Sequence, residues 1–354
     1  MSRPCSDADT ITCRHLLVPV EEADESMATV IGAIELARIA AARITFVYAP
    51  ALAPMPHNYG NRSRELLGKA ESVARAQGVP CASAGAVGND VQAAIPATAR
   101  EAGCDLVFVG AHGHGTMTRP LVLDVLAAGL PVFAMPNPAS AAPAPAPAIR
   151  AIRDEHRALS TILRAWLDML MAANDHGATA DVPVMRGMIR FIETFPVARH
   201  HPRKQAVLYG RLRRRTARVD AELDELERQH ERDAQWVGVL AEAVERFAKG
   251  GPLTELLDRV DHYAQFAWAF MGREEGVILP AAQRYLTDAD WDKVNAAYCT
   301  RDTCTSKTEP GTRGGGHDER PFDMLLAWLA DLPDVGCVAH ICSHAADGSM
   351  QFTT

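Results

Sequence analysis

The stretch Arg199-His200-His201-Pro202-Arg203-Lys204 decides how the second half of this chain is read. Two adjacent histidines stand before a proline, and helix-forming residues run on from it. Histidine is the commonest metal-binding side chain, so the question is what else in the chain could meet this pair. Asp154-Glu155-His156, Gln229-His230-Glu231 and Arg273-Glu274-Glu275 answer it, each inside a long segment of helical periodicity. Four helices that each turn a His or Glu inward make the pattern of a metal-binding four-helix bundle.

The periodicity is explicit. Ile152, His156, Leu159, Leu163, Trp166 and Leu170 form one apolar stripe with His156 inside it. A second helix is expected from Pro183 to Arg199, with Met188, Ile192 and Phe195 inward and a bend at Pro196. Leu223, Leu226, His230, Asp233, Val237, Leu240 and Val244 mark the third. Leu256, Val260, Tyr263, Ala267, Phe270, Glu274 and Val277 mark the fourth. A histidine on such a stripe is most simply a satisfied core residue. A buried Glu274 is different, because an unpaired charge inside a bundle is costly. Histidine on three helices and Glu on the fourth therefore favour a metal. The basic run Arg211, Arg213, Arg214, Arg215 and Arg218 reads as a solvated face and loop.

Working back toward the N-terminus, strands alternate with helices. Strands are expected at His15 to Val20, Arg43 to Tyr48, Pro80 to Val87, Cys104 to Val109 and Pro131 to Met135. Helices are expected at Met27 to Ala41, Arg62 to Gln77, Val91 to Ala102 and Arg119 to Ala128. This order predicts an α/β doubly wound parallel five-stranded sheet, followed by the all-α four-helix bundle. Ligands of such sheets bind at the carboxyl ends of the strands. There the fourth strand feeds Gly110-Ala111-His112-Gly113-His114-Gly115, whose backbone N–H groups could cradle a phosphate or only allow a tight turn.

The element order and Gly110-x-x-Gly113 resemble the universal stress protein family over residues 13 to 136. That resemblance implies a phosphate loop at Gly110 and Gly113 and a homodimer through the α/β domain. In the nucleotide-binding members a Gly-Ser or Gly-Thr pair follows nine residues after the second glycine. Here Leu123 and Asp124 occupy those places, and Glu21 stands where the ATP binders carry Asp. Bulk and negative charge at the phosphate position argue against ATP.

Residues 149 to 298 resemble bacterial hemerythrin-like (HHE) domains. The matching residues are Asp154-Glu155-His156, Phe195-Pro196, His200-His201-Pro202, His230, Met271-Gly272-Arg273-Glu274-Glu275, Leu279-Pro280 and Leu286-Thr287-Asp288-Ala289-Asp290-Trp291. The resemblance implies His-x-x-x-Glu on the second and fourth helices, which puts two ligands on one face so that the carboxylate can bridge two irons. The chain departs from this. Four residues after His200 stands Lys204, four before Glu274 stands Phe270, and Ala267 fills another place where relatives carry His. Two readings follow. In one, His156, His200, His230 and Glu274 hold a single metal, iron or zinc. In the other, no metal is bound, and Lys204 and Glu274 form an internal ion pair. A full di-iron oxygen carrier is not expected.

The remaining features set bounds. Residues 10–136 make the α/β domain, 137–148 a Pro/Ala linker, 149–298 the bundle, and 299–354 a flexible extension with one short helix from Pro321 to Leu332. Cys299, Cys304, Cys337, His340, Cys342 and His344 in that extension have no usual zinc spacing. A net charge of −8 argues against nucleic acid. No apolar run reaches membrane-spanning length, and the N-terminus lacks an apolar signal core, so a cytoplasmic chain with reduced thiols is expected. No catalytic Ser/His/Asp or Cys/His set stands out, so an enzyme is not expected. The function that follows from the resemblances is response to redox, oxygen or metal stress. The alternatives are an iron–nitrosyl or iron–sulfur repair type of metal-dependent protein, or a structural, dimer-forming interaction protein.

Overall fold

The computed structural model describes residues 13–21, 26–48, 59–85, 91–110, 118–135 and 147–298. The chain divides into two compact units. One comprises Met1–Ala144 and the segment Trp268–Pro280, and the other Pro145–Ala267 and Ala281–Thr354.

In the first unit β1 (His15–Val20), α1 (Ser26–Ala40), β2 (Arg43–Tyr48), α2 (Tyr59–Ala76), β3 (Cys81–Ala84), α3 (Val91–Glu101), β4 (Leu106–Gly110), α4 (Thr118–Ala127) and β5 (Val132–Met135) alternate along the chain. The strands are parallel, in the order β3-β2-β1-β4-β5. This is the five-stranded doubly wound sheet read from the sequence. Central β1 is buried along its whole length, as a strand covered on both faces must be. Leu16 and Val18 join Val30 and Ile34 of α1 and Val73 of α2 on one face. Leu17 joins Ile95 of α3 and Val125 of α4 on the other. The edge strand β3 and the start of β4 are shorter than their apolar runs suggest. Just before β4 the Asp105 carboxylate accepts the N–H groups of Arg14 at 2.9 Å and His15 at 3.0 Å, while the Asp105 N–H donates to the His15 carbonyl at 2.9 Å. Cys104 is buried, which pushes its thiol up to about 11 and keeps it protonated.

The helical part begins with α5 (Pro147–His176) and α6 (Val182–Ile192). Asp181 caps α6 by accepting the Val184 N–H at 3.2 Å, with Pro183 in the first turn. A π-helical stretch, Glu193–His200, leads to α7 (His201–Lys204), a second π-helical stretch, Gln205–Tyr209, and α8 (Gly210–Arg215). Then come α9 (Asp220–Ala248), α10 (Leu253–Arg273), a π-helical turn at Glu274–Ile278, α11 (Leu279–Tyr285) and α12 (Asp288–Tyr298). The apolar stripes named above are buried along α5, α9 and α10.

The second helix does not stop at Arg199. Proline lacks an N–H and crowds an α-turn, but a π turn absorbs it: the His201 N–H bonds to the Pro196 carbonyl, and the helical run continues over 182–215. The basic run is a solvated face followed by a turn: Arg211, Arg213, Arg214 and Arg215 lie on α8, and Arg218 lies in the turn before α9. Arg213 pairs with Asp224 at 2.7 Å and Glu227 at 3.0 Å, and Arg215 with Asp290 at 2.7 Å. No helix among the described residues is long and apolar enough to cross a membrane. Most of the expected linker, the cysteine-bearing extension 299–354 and its expected short helix lie outside the described residues.

Candidate metal centre

His156 on α5, His200 at the end of the first π-helical stretch and Glu274 at the start of the π turn after α10 come together. Each offers one ligand atom, and these atoms lie within 4.8 Å of one another. All three side chains are buried, at 1%, 3% and 1% exposure. The line between the two units passes through the unbroken helical run 253–285, which carries Glu274 with the rest of the fourth bundle helix. Each residue occupies its position for a local reason. His156 sits on the apolar stripe of α5, and π-helical stretches flank the His200 to Lys204 turn, an irregularity common at functional sites.

Glu155 engages the Nδ1 side of the His200 ring, so Nε2 is the ring atom able to donate to a metal. Arg203 holds the other carboxylate oxygen of Glu155 and lies 4.3 Å over the Tyr298 ring. Burial raises the Glu155 carboxyl above its ordinary range, and the Arg203 charge opposes that rise. The donor set of two imidazoles and one carboxylate, with the His200 ring oriented by Glu155, fits a single non-haem iron(II) ion.

His230 stands outside this three-residue group. Its ring stacks on His201 at 3.8 Å, and Gln205 donates to its Nδ1 at 3.3 Å. His201 in turn donates Nε2–H to Asp233 at 2.8 Å. Asp233 is fully buried, and that burial raises its carboxyl to about 6, with Tyr263, His230 and Lys204 pulling the other way. Lys204 is buried at 1% exposure, and Phe270 and Ala267 are buried completely. Gly110 closes β4, while Gly113 lies outside the described residues.

Sequence reasoning assigned no role to Glu155, His201 or Asp233. A signal existed for Asp233, a carboxylate on an otherwise apolar stripe. Glu155 was hidden because its partners, His200 and Arg203, lie on another helix.

A parallel α/β sheet joined to a helical bundle with a buried His/His/Glu group defines the class of protein. The Universal stress protein family model matches residues 12–128, and the Hemerythrin HHE cation binding domain model matches residues 148–282. The chain thus joins a domain of each of these two families. Two solved structures are similar to it. A universal stress family protein from Burkholderia pseudomallei is 23% identical over 36% of this chain and 99% of its own, with a TM-score of 0.30. A universal stress protein from Archaeoglobus fulgidus is 20% identical over 34% of this chain and 92% of its own, also with a TM-score of 0.30. No curated protein matches the chain.

Proposed function

We propose that the bundle binds one iron(II) ion through His156, His200 and Glu274, and that the protein uses it in the cytoplasm to sense or respond to redox, oxygen or metal stress. The observation that carries this reading is the convergence of three buried donor atoms within 4.8 Å. Bound there, iron would supply a redox-active centre with open coordination positions. The residues around it have defined tasks. Glu155 orients His200, and Arg203 holds Glu155. The reading is of a binding protein rather than an enzyme.

Iron content of protein purified without added metal tests it. One iron per chain is expected, falling to background in His156→Ala and Glu274→Ala. A second reading rests on the complete burial of Lys204: the ammonium takes the metal's place, and the bundle is a metal-free interaction module. Failure to take up iron(II) anaerobically would favour that alternative.

For the first unit we propose a homodimer through edge strand β5. Phe133 on β5 and Leu123 and Leu126 on α4 are 45%, 58% and 52% exposed, a poor surface to leave in water. Light scattering should give twice the chain mass, and Phe133→Asp should halve it.

A further inference from the structure

Gly272 and Gly276 flank Glu274 in the segment Trp268–Pro280, which packs within the first unit. A Cβ at Gly272 would stand 2.6 Å from the Lys69 carbonyl oxygen and 2.7 Å from the Lys69 Cα. A Cβ at Gly276 would stand 2.7 Å from Cγ1 of Val73. At Gly272 the obstacle is backbone, which cannot swing aside as a side-chain tip can. The two glycines therefore form a notch that receives α2. Beside the notch Lys69 Nζ lies 3.3 Å from Glu65 and 3.6 Å from Glu275. Lys69 and Glu65 are 7% and 2% exposed, so this charge network is not a loose surface pair. α2 is also built into the sheet core through Ala70, Val73 and Ala74.

Glu274 is thus locked into a segment whose immediate neighbours touch α2. The turn Glu274–Ile278 is π-helical, and a return to α-helical register there would turn Glu275 and Gly276 relative to Lys69 and Val73. We infer that α2 reads the occupancy of Glu274: the Gly272/Gly276 notch and the Lys69–Glu275 pair couple metal binding at Glu274 to the order of α2. This inference rests on the metal reading above. By linkage the coupling is reciprocal, so loosening α2 must weaken metal binding by the same factor.

The test uses the full chain and zinc(II) alone as a redox-inert probe. Hydrogen exchange of residues 59–76 is followed with and without zinc, with metal content measured on the same samples. Slowing of α2 exchange on loading is expected. Lys69→Met, which touches none of the three donors, should bind zinc about fivefold or more weakly and abolish the slowing. Lys69→Arg should restore both. Zinc bound at His156, His200 and Glu274 with α2 exchange and Lys69→Met affinity unchanged would overturn the coupling while leaving the metal site standing. Absence of bound metal in any sample would remove the site and the coupling together, and the metal assay tells the two failures apart.

Discussion

At the scale of single residues, Lys204 is the most informative side chain. It places an ammonium at 1% exposure one helical turn from His200, where a second bridging carboxylate would be needed for two irons. Changing it to Glu swings the local charge by about two units in a low-dielectric core, and changing Phe270 to His restores a nitrogen donor. The double variant Lys204→Glu/Phe270→His is expected to raise iron toward two per chain and bring up near-ultraviolet absorption of oxo-bridged iron. Two irons in the unmodified protein would contradict this. Glu155→Gln should weaken metal affinity about 10- to 100-fold, because His200 loses the carboxylate that fixes its ring; competition with a chelator measures it. Burial of His156, His230 and Glu274 was legible because each lies on an apolar stripe. The partners across helices were not, since periodicity reports which way a residue faces and not what it meets.

At the scale of elements, the parallel strand–helix alternation was legible because each strand is a short apolar run bounded by polar turns. The second bundle helix was read too short. Pro196 and Pro202 are breakers in an α-helix, and sequence gives no warning that π turns will carry them. The start of α12 offers a test of local stabilisation. Thr287 and Asp290 form a reciprocal cap, with the Thr287 N–H donating to Asp290 at 3.2 Å and Arg215 clamping the same carboxylate at 2.7 Å. The Arg215 and Thr287 hydrogen bonds hold the Asp290 carboxyl well below the usual range. A depressed folded-state pKa stabilises at neutral pH, and that contribution fades as pH falls below the unfolded value of about 4. Asp290→Ala should therefore lower Tm by a few degrees at pH 7, with the gap to the parent closing in stronger acid.

At the scale of the whole molecule, the sequence marked residues 137–148 as a spacer, and Trp268–Pro280 clusters with the α/β elements far from it in sequence. Limited proteolysis is expected to cut within residues 137–146 and to leave two fragments that co-elute on gel filtration, held by that segment. Separate elution would show that the segment does not bind α2 in solution. Nothing in hydropathy reveals such a return of the chain, because Gly272 and Gly276 only acquire meaning once α2 lies against them.

The same discontinuity bears on synthesis at the ribosome. The α/β half emerges first, yet it lacks one of its own packing surfaces until Pro280 has been made. At typical elongation rates of roughly 5–20 residues per second, the wait is on the order of ten seconds. During that interval the α2 face around Lys69 and Val73 is uncovered, and its charged network lacks Glu275. The first half to leave the exit tunnel is thus completed only after most of the second half has been made, so the nascent chain has a window in which a chaperone could hold that face.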